Sequence, residues 1–169
     1  MENNFQASLD FVLDQEKGFV DNPKDPGGAT NLGCTKKTWE DWVGHPVTVD
    51  DIKNLTPEDV APLYKKRYWD ACHCSELPNG VDLCVFDMAI NSGPVRAIKT
   101  LQSCLGVTTD GIIGPGTINA ANSIPTAQLI DEYTTSRGTF LMGLPTYIDF
   151  GRGWMARVNR CDEKAMSML

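Results

Sequence analysis

The sequence lacks the features that would direct it to a membrane or to a nucleic acid. Its 169 residues contain no run of about 18 apolar residues, so we expect no membrane span and no membrane partner. The first residues, 1–4, lack the basic and apolar regions of a signal peptide, which predicts synthesis in the cytoplasm without a signal peptide. Positive charge is scarce as well: 15 Lys and Arg against 22 Asp and Glu give a net charge of -7, which argues against nucleic acid as a partner.

Histidine is also scarce, and this affects how the cysteines are interpreted. The chain has only two histidines, and Cys72-His73-Cys74 does not have a usual zinc-ligand spacing, so we predict no metal and no other cofactor. An even number of cysteines, six, could instead form disulfides in an oxidising compartment. We predict free thiols, because free cysteine is commonly a small buried hydrophobe and three of the cysteines stand where an apolar residue is expected: Cys34, Cys84 and Cys104.

The sequence does contain a series of helical patterns with start signals. Thr56-Pro57-Glu58-Asp59 combines a cap residue, a proline in the first turn and two acids. Residues 81–90 are apolar on most sides, which predicts a helix in the middle of the fold, and Asp87 within it is expected to be a structural hydrogen-bond acceptor. Long alternating runs are absent. The fold class predicted is therefore α+β and mainly helical, with at most a short hairpin between about Phe19 and Cys34.

Glu16 stands at the end of the first helical pattern and is the leading candidate for a catalytic group. Phe5, Leu9 and Val12 precede it at helical spacing, so its carboxyl projects from the same stripe as these apolar side chains. Burial on the stripe and the negative end of the helix dipole both favour the protonated carboxylic acid that a general acid requires. The alternative is a glutamate at a frayed helix end with its carboxyl in water.

A turn-rich segment follows Glu16 and can place further polar groups opposite it. Asp25 and Thr30 lie nine and fourteen residues after Glu16, among proline and glycine residues that exclude a long helix. Two carboxylates that flank a cleft are the working parts of a glycoside hydrolase. Glu16, Asp25 and Thr30 are therefore the candidate catalytic residues.

Residues 16–33, Glu-x-Gly-Phe-Val-x-x-Pro-x-Asp-Pro-Gly-Gly-Ala-Thr-Asn-x-Gly, resemble the signature of glycoside hydrolase family 108. These are phage endolysins and related bacterial muramidases that cut the sugar backbone of peptidoglycan. Lys17 and Cys34 depart from the family pattern. The resemblance continues along nearly the whole chain through Tyr68-Trp69-Asp70, Phe86-Asp87, Asn91-Ser92-Gly93, Leu101-Gln102, Asp110-Gly111-Ile112-Ile113-Gly114-Pro115 and Gly153-Trp154-x-x-Arg157.

The resemblance implies a lysozyme-like fold and hydrolysis of the β-1,4 bond between N-acetylmuramic acid and N-acetylglucosamine. Glu16 would protonate the leaving oxygen, Asp25 would activate water or stabilise the oxocarbenium-like state, and Thr30 would help to hold the water. The spacing Glu-x8-Asp-x4-Thr is one residue shorter than in phage-type lysozymes. The expected partner is the peptidoglycan glycan strand, met by a monomer in the periplasm or cell wall after its release.

Three further residues are candidates for contact with the sugar. Asn31 stands in the first block of the resemblance, and Asn91 would border the sugar cleft by the same resemblance. Trp69 could offer a sugar-stacking wall, as could Trp39, although the alternative for both rings is the core.

The resemblance also divides the chain into two regions. We expect residues 1–92 to form a catalytic lobe and residues 93–169 to form a helical peptidoglycan-binding segment packed on it, because no flexible linker separates them. Two other functions stay open: a lytic transglycosylase, which needs only the acid and leaves an anhydro sugar, and a non-catalytic wall-binding or secretion-associated protein. The presence of Glu16, Asp25 and Thr30 together favours the hydrolase.

Overall fold

A computed structural model describes residues 3–16, 18–22 and 26–169, apart from the side chain of Asn3. Helices make up most of these residues, and one short antiparallel hairpin accompanies them. The prediction of a mainly helical α+β fold is therefore confirmed. Asp25, the predicted second carboxylate, and Lys17, which departs from the family pattern, lie outside the described residues.

The chain begins with a helix, continues through the hairpin and then runs from helix to helix. The first helix is α1 (Asn3–Gln15), and the hairpin consists of β1 (Thr30–Asn31) and β2 (Cys34–Thr35). The helices that follow are α2 (Lys36–Val43), α3 (Val49–Lys53), α4 (Pro57–Tyr64), α5 (Val81–Ser92), α6 (Pro94–Cys104), α7 (Pro115–Ser123), α8 (Thr126–Met142) and α9 (Tyr147–Met166). A π-helical turn (Lys65–Trp69) and a 3₁₀ turn (Cys74–Glu76) connect α4 to α5.

The hairpin is short but is paired on both sides. Thr30 pairs with Thr35 and Asn31 pairs with Cys34. On its other side Thr30 exchanges two backbone hydrogen bonds with Val20, each 2.8 Å long. The segment after Glu16 is thereby tied to β1, and the hairpin lies where the sequence predicts one, with its last residue one position beyond the expected range.

Contacts divide the chain into two compact units, each with its own buried residues. We call Leu9–Lys66 the hairpin unit, and Met1–Ser8 with Arg67–Leu169 the helical unit. This division differs from the predicted boundary between residues 92 and 93. The physical reason is α5, which the sequence assigns to the first region but which packs against α6, α8 and α9.

Capping groups begin the helices of the hairpin unit. The Thr35 hydroxyl accepts the Thr38 N–H at 3.1 Å at the start of α2. At the start of α4, Thr56 and Asp59 form a reciprocal capping box, so the predicted start signal is confirmed. The core of this unit consists of Leu9, Val12, Ala29, Cys34, Ile52, Val60, Leu63 and Tyr64.

Helix α5 is the centre of the helical unit. Every residue from Val81 to Ala89 is buried, which confirms the prediction from its apolar pattern. Asp87 is the buried acceptor that the sequence predicts: Arg137 Nη1 donates to it at 2.6 Å and Arg157 Nη2 at 2.7 Å. Burial alone would raise the pKa of Asp87, but the two guanidiniums outweigh it and hold that pKa below its ordinary value.

The cysteines are free thiols in this structure, and all except the half-buried Cys104 are buried. His73 is exposed and its Nδ1 lies 2.7 Å from a carboxylate oxygen of Glu76. No cluster of three or more His, Cys, Asp or Glu that could hold a metal occurs among the described residues. Within the same residues, no helix combines the length and the apolar character needed to cross a membrane.

Candidate active site

Glu16 directly follows the last residue of α1. Its backbone N–H donates to the Leu13 carbonyl at 3.2 Å and so closes the final turn of the helix. On the same stripe, Leu9 and Val12 are fully buried, whereas Glu16 is half-buried. The carboxyl therefore marks the point where an apolar stripe reaches the surface of the hairpin unit, as its spacing predicts.

The turn of the hairpin is strained where it faces Glu16. Leu32 and Gly33, the two residues between β1 and β2, have φ values of 50° and 72°. Two positive φ values in a two-residue hairpin turn correspond to a type I′ geometry, which leucine adopts at a cost of about 1–2 kcal/mol. The Tyr64 hydroxyl, at the end of α4, donates to the Leu32 carbonyl at 2.8 Å and anchors the strained residue.

Gly33 is in close contact with the candidate acid. A Cβ atom at this position would lie 2.7 Å from the Tyr64 hydroxyl oxygen and 3.0 Å from Cδ and Cγ of Glu16. The Glu16 side chain thus rests against the glycine backbone, with the tyrosine hydroxyl beside it. The end of α1, the hairpin turn and the end of α4 meet here and restrict where the carboxyl can stand.

Thr30 belongs to the same unit as Glu16. It lies in β1 between the backbones of Val20 and Thr35 and is half-buried. Because Asp25 lies outside the described residues, its predicted role and that of a water held by Thr30 stay predictions.

Asn31 has a structural role in the hairpin unit, and its predicted contact with sugar stays a prediction. Only 8% of its surface is exposed. Its side-chain amide donates to the carbonyls of Ile52 and Lys53 at 3.0 and 3.1 Å, at the end of α3. The terminal carbonyls of a helix have no partner within the helix, so Asn31 satisfies them and fastens β1 to α3.

Trp69 is not a sugar-stacking wall, and this prediction is wrong. Its side chain is fully buried, with edge-to-face contacts to Phe5 and Phe86 at 5.5 and 5.4 Å between ring centroids. Its indole N–H donates to the Ser75 hydroxyl at 2.8 Å. The ring is thus committed to the core of the helical unit, whereas Trp39, on α2, is half-exposed.

Asn91 is exposed at the end of α5, in the helical unit. Its Oδ1 accepts a hydrogen bond of 2.7 Å from Arg137 Nη2. It also lines a cavity of about 250 Å³ together with Arg137 and Arg157. Asn91 and Trp69 thus belong to one unit and Glu16, Thr30 and Asn31 to the other.

The Asp-Gly motif of the second half is held by a residue to which the sequence assigned no role. The Gln102 side chain, 1% exposed, donates to Asp110 Oδ1 at 2.8 Å and to the Ile112 carbonyl at 3.0 Å. It also accepts the Gly111 N–H at 2.9 Å. One glutamine therefore organises this loop. Only its place after Leu101 in the resemblance could have indicated it.

Comparisons with known proteins agree with these features. Residues 9–93 match the model of the family described as Glycosyl hydrolase 108, and residues 96–159 match one described as Predicted Peptidoglycan domain. A solved structure, "Structure of Brucella abortus SagA", is 39% identical over 99% of this chain and 97% of that chain, with a TM-score of 0.88. Comparison with curated protein sequences finds no match. The two family models together describe a glycosyl hydrolase that acts on peptidoglycan, and the chain belongs to the Glycosyl hydrolase 108 family.

Proposed function

We propose that this glycosyl hydrolase is an endolysin-type muramidase, which hydrolyses the β-1,4 bond between N-acetylmuramic acid and N-acetylglucosamine. Glu16 is the general acid that protonates the leaving oxygen. Asp25 activates water or stabilises the oxocarbenium-like state, and Thr30 holds that water. The supporting observation is the placement of the Glu16 carboxyl, half-buried at the end of α1 and packed on Gly33.

The local structure suits an acid that must be held in one position. A general acid contributes only when it lies within hydrogen-bond reach of the atom it protonates. The side chain of Glu16 is confined by the Gly33 backbone on one side, and the turn is itself fixed by Tyr64. Tyr64 is a positioning residue in this proposal. Its hydroxyl donates to the Leu32 carbonyl and so fixes the turn, and the turn confines the Glu16 side chain.

The test is the conversion of Glu16 to glutamine, which keeps the size of the side chain but removes its acidic proton. We expect digestion of purified peptidoglycan to slow by about a hundredfold to ten-thousandfold, with little change in melting temperature. Glu58→Gln, at an exposed position in the first turn of α4, is the matched control and should digest at the wild-type rate. A Glu16→Gln protein that still digests peptidoglycan at the wild-type rate would exclude Glu16 as the acid.

The products decide between the possible reactions. Hydrolysis by a muramidase gives fragments with N-acetylmuramic acid at the reducing end, and Asp25→Asn should then slow the reaction by at least about a hundredfold. A lytic transglycosylase would give 1,6-anhydro ends and would tolerate Asp25→Asn. Mass spectra of the fragments separate the two. Lack of cleavage by the wild-type protein would instead favour a wall-binding protein. The proposed site of action is the peptidoglycan layer in the periplasm or cell wall.

A further inference from the structure

The helical unit contains a cavity that has no part in the proposed hydrolysis. Its volume is about 360 Å³, within the range of roughly 300–1,000 Å³ that is typical of sites for small ligands. The lining comes from the 3₁₀ turn before α5, from the loop before α7 and from α7 itself. It combines three polar and three apolar side chains: His73, Glu76 and Asn119, with Ile113, Pro115 and Ile118. We call this cavity the histidine pocket.

The Cys72-His73-Cys74 motif turns one imidazole outward between two buried thiols. Both cysteines are fully buried, whereas 48% of the His73 side chain is exposed. The backbone of His73 has a φ of 50°, which is unfavourable for a residue with a side chain. Among the described residues, the only other one besides glycine with a positive φ is Leu32, beside the candidate acid. The core thus fixes the chain on both sides of His73 and determines where its ring stands.

Glu76 fixes the orientation of the imidazole and the position of its proton. Nδ1 of His73 lies 2.7 Å from a carboxylate oxygen of Glu76. Because a carboxylate oxygen only accepts hydrogen bonds, Nδ1 carries the proton of this bond. In the neutral ring Nε2 is then an acceptor, and it has no partner among the described residues. The ring therefore offers an acceptor to an N–H or O–H group of a ligand.

The rest of the lining offers a donor and an apolar surface. Asn119 is exposed on α7, and its side-chain amide forms no hydrogen bond within the described part of the chain. Ile113 is only 7% exposed and Ile118 is half-buried. The histidine pocket thus brings together an acceptor nitrogen, an amide donor and an apolar surface. A ligand that complements all three needs a donor, an acceptor and an apolar group close to one another.

We propose that the histidine pocket binds the N-acetyl group of a hexosamine in the peptidoglycan strand. This inference deepens the proposed function, since it takes peptidoglycan as the substrate. An acetamide has an N–H donor, a carbonyl acceptor and a methyl group. The N–H matches Nε2 of His73, the carbonyl matches Nδ2 of Asn119, and the methyl group matches the surface of the two isoleucines.

Two other ligands match the lining less well. An ammonium group, such as an amino acid of the wall peptide can carry, has only donors and would leave the Asn119 donor and the isoleucines without a counterpart. A phosphate would be repelled by the Glu76 carboxylate. Because the side chains of His73 and Glu76 are 48% and 57% exposed, we expect weak binding of a single sugar. The N-acetyl group recurs along the strand, so a weak site would still help to retain the enzyme on it.

The experiment measures binding of a single sugar, which contains no bond between two sugars. Methyl N-acetyl-β-D-glucosaminide is titrated into the ¹⁵N-labelled full chain, and the backbone amide resonances of Ile113, Ile118 and Asn119 are followed by NMR. Methyl β-D-glucosaminide, which carries an ammonium in place of the acetamide, and N-acetyl-L-alaninamide, a peptide acetamide without a sugar, are titrated separately.

Two variants remove one polar group of the pocket each. His73→Asn keeps a side chain that tolerates a positive φ and a donor near the position of Nδ1, but it has no atom in the place of Nε2. Asn119→Ala removes the amide donor from an exposed position of α7, where alanine favours the helix. The control is His45→Asn, which makes the same substitution at an exposed histidine of the hairpin unit.

We expect the acetylated sugar to shift the three resonances, and the free amine to bind at least about tenfold more weakly. Each pocket variant should weaken binding by about threefold to tenfold at an unchanged melting temperature, and His45→Asn should bind like the wild type. Absence of these shifts, equal or tighter binding of the free amine, tighter binding of N-acetyl-L-alaninamide than of the sugar, or wild-type affinity in both pocket variants would each overturn the proposal. A protein that digests peptidoglycan without binding the sugar here would refute only this inference, and one that binds it without digesting peptidoglycan would refute only the muramidase assignment.

Discussion

Replacement of Gly33 by alanine tests whether the hairpin turn positions the acid. Two costs are expected. The first is conformational: an alanine at a φ of 72° costs about 1–2 kcal/mol of folding stability. The second is steric, because the added Cβ would lie 2.7 Å from the Tyr64 hydroxyl oxygen and 3.0 Å from Glu16 Cδ. Overpacking of this kind adds about 1–3 kcal/mol.

Gly44→Ala separates these two costs. Gly44 ends α2 with a φ of 79°, close to that of Gly33, but no atom lies within 4 Å of its added Cβ. The Gly44→Ala variant should therefore lose only the conformational part, about 1–2 kcal/mol, and keep its activity. Gly33→Ala should lose about 2–5 kcal/mol in total.

Activity gives the sharper comparison. To make room for the Cβ, either the Glu16 carboxyl moves or Tyr64 gives up its bond to Leu32, and both displace the acid from its position. A displacement of about 1 Å can cost roughly a hundredfold in rate. Urea denaturation and initial rates on purified peptidoglycan would measure both quantities. Equal rates and equal stabilities for the two glycine variants would refute the positioning role of the turn.

Three further predictions concern single groups. Tyr64→Phe should cost about 1 kcal/mol of stability in urea denaturation and should lower kcat, because the Leu32 carbonyl loses its donor; an unchanged kcat would contradict this. Asp87→Asn should cost about 3–5 kcal/mol at pH 7, because two buried guanidiniums lose their carboxylate. Folding lowers the pKa of Asp87. The stability that its carboxylate provides is therefore complete above the unfolded pKa of about 3.9 and is lost as the pH falls through the lower folded pKa. The difference in unfolding free energy between the variant and the wild type should shrink in acid. Thiol titration of the denatured protein without reductant should find free cysteines, and a denatured protein without free thiols would contradict this. The thiols of the folded protein should react slowly at pH 8, because burial raises the pKa of Cys74 and of Cys104.

The sequence predicts those parts of the fold that depend on local pattern. The capping box at Thr56 and the apolar helix from Val81 onwards follow from residue order and spacing, and both are present. Asp87 could be predicted to need a partner, since a charge within an apolar helix requires one. Its two arginines could not be predicted, because they lie 50 and 70 residues away along the chain and only the packing of α8 and α9 on α5 brings them there.

The tryptophan at position 69 shows the limit of this reasoning. An aromatic side chain has the same appearance in a sequence whether it stacks on a sugar or fills a core. The π-helical turn and the contacts with Phe5 and Phe86 decide the matter, and both depend on tertiary structure. Asn31 is similar, since the carbonyls that it satisfies belong to a helix that begins 18 residues later.

The hairpin turn that positions Glu16 could not be predicted from the sequence, for a related reason. The turn that faces it is Leu-Gly, whereas the sequence signal for a type I′ turn is Asn-Gly or Asp-Gly. Leucine is strained at a φ of 50° and persists there only because the surrounding structure fixes it, here through the Tyr64 hydroxyl. The Leu-Gly turn departs from the usual turn sequence next to the candidate acid. The hydrogen bond that compensates for its strain comes from Tyr64, at the end of α4. Strain of this kind is expected where a site must hold a side chain in one place, and it gives an independent reason to regard Glu16 as the acid.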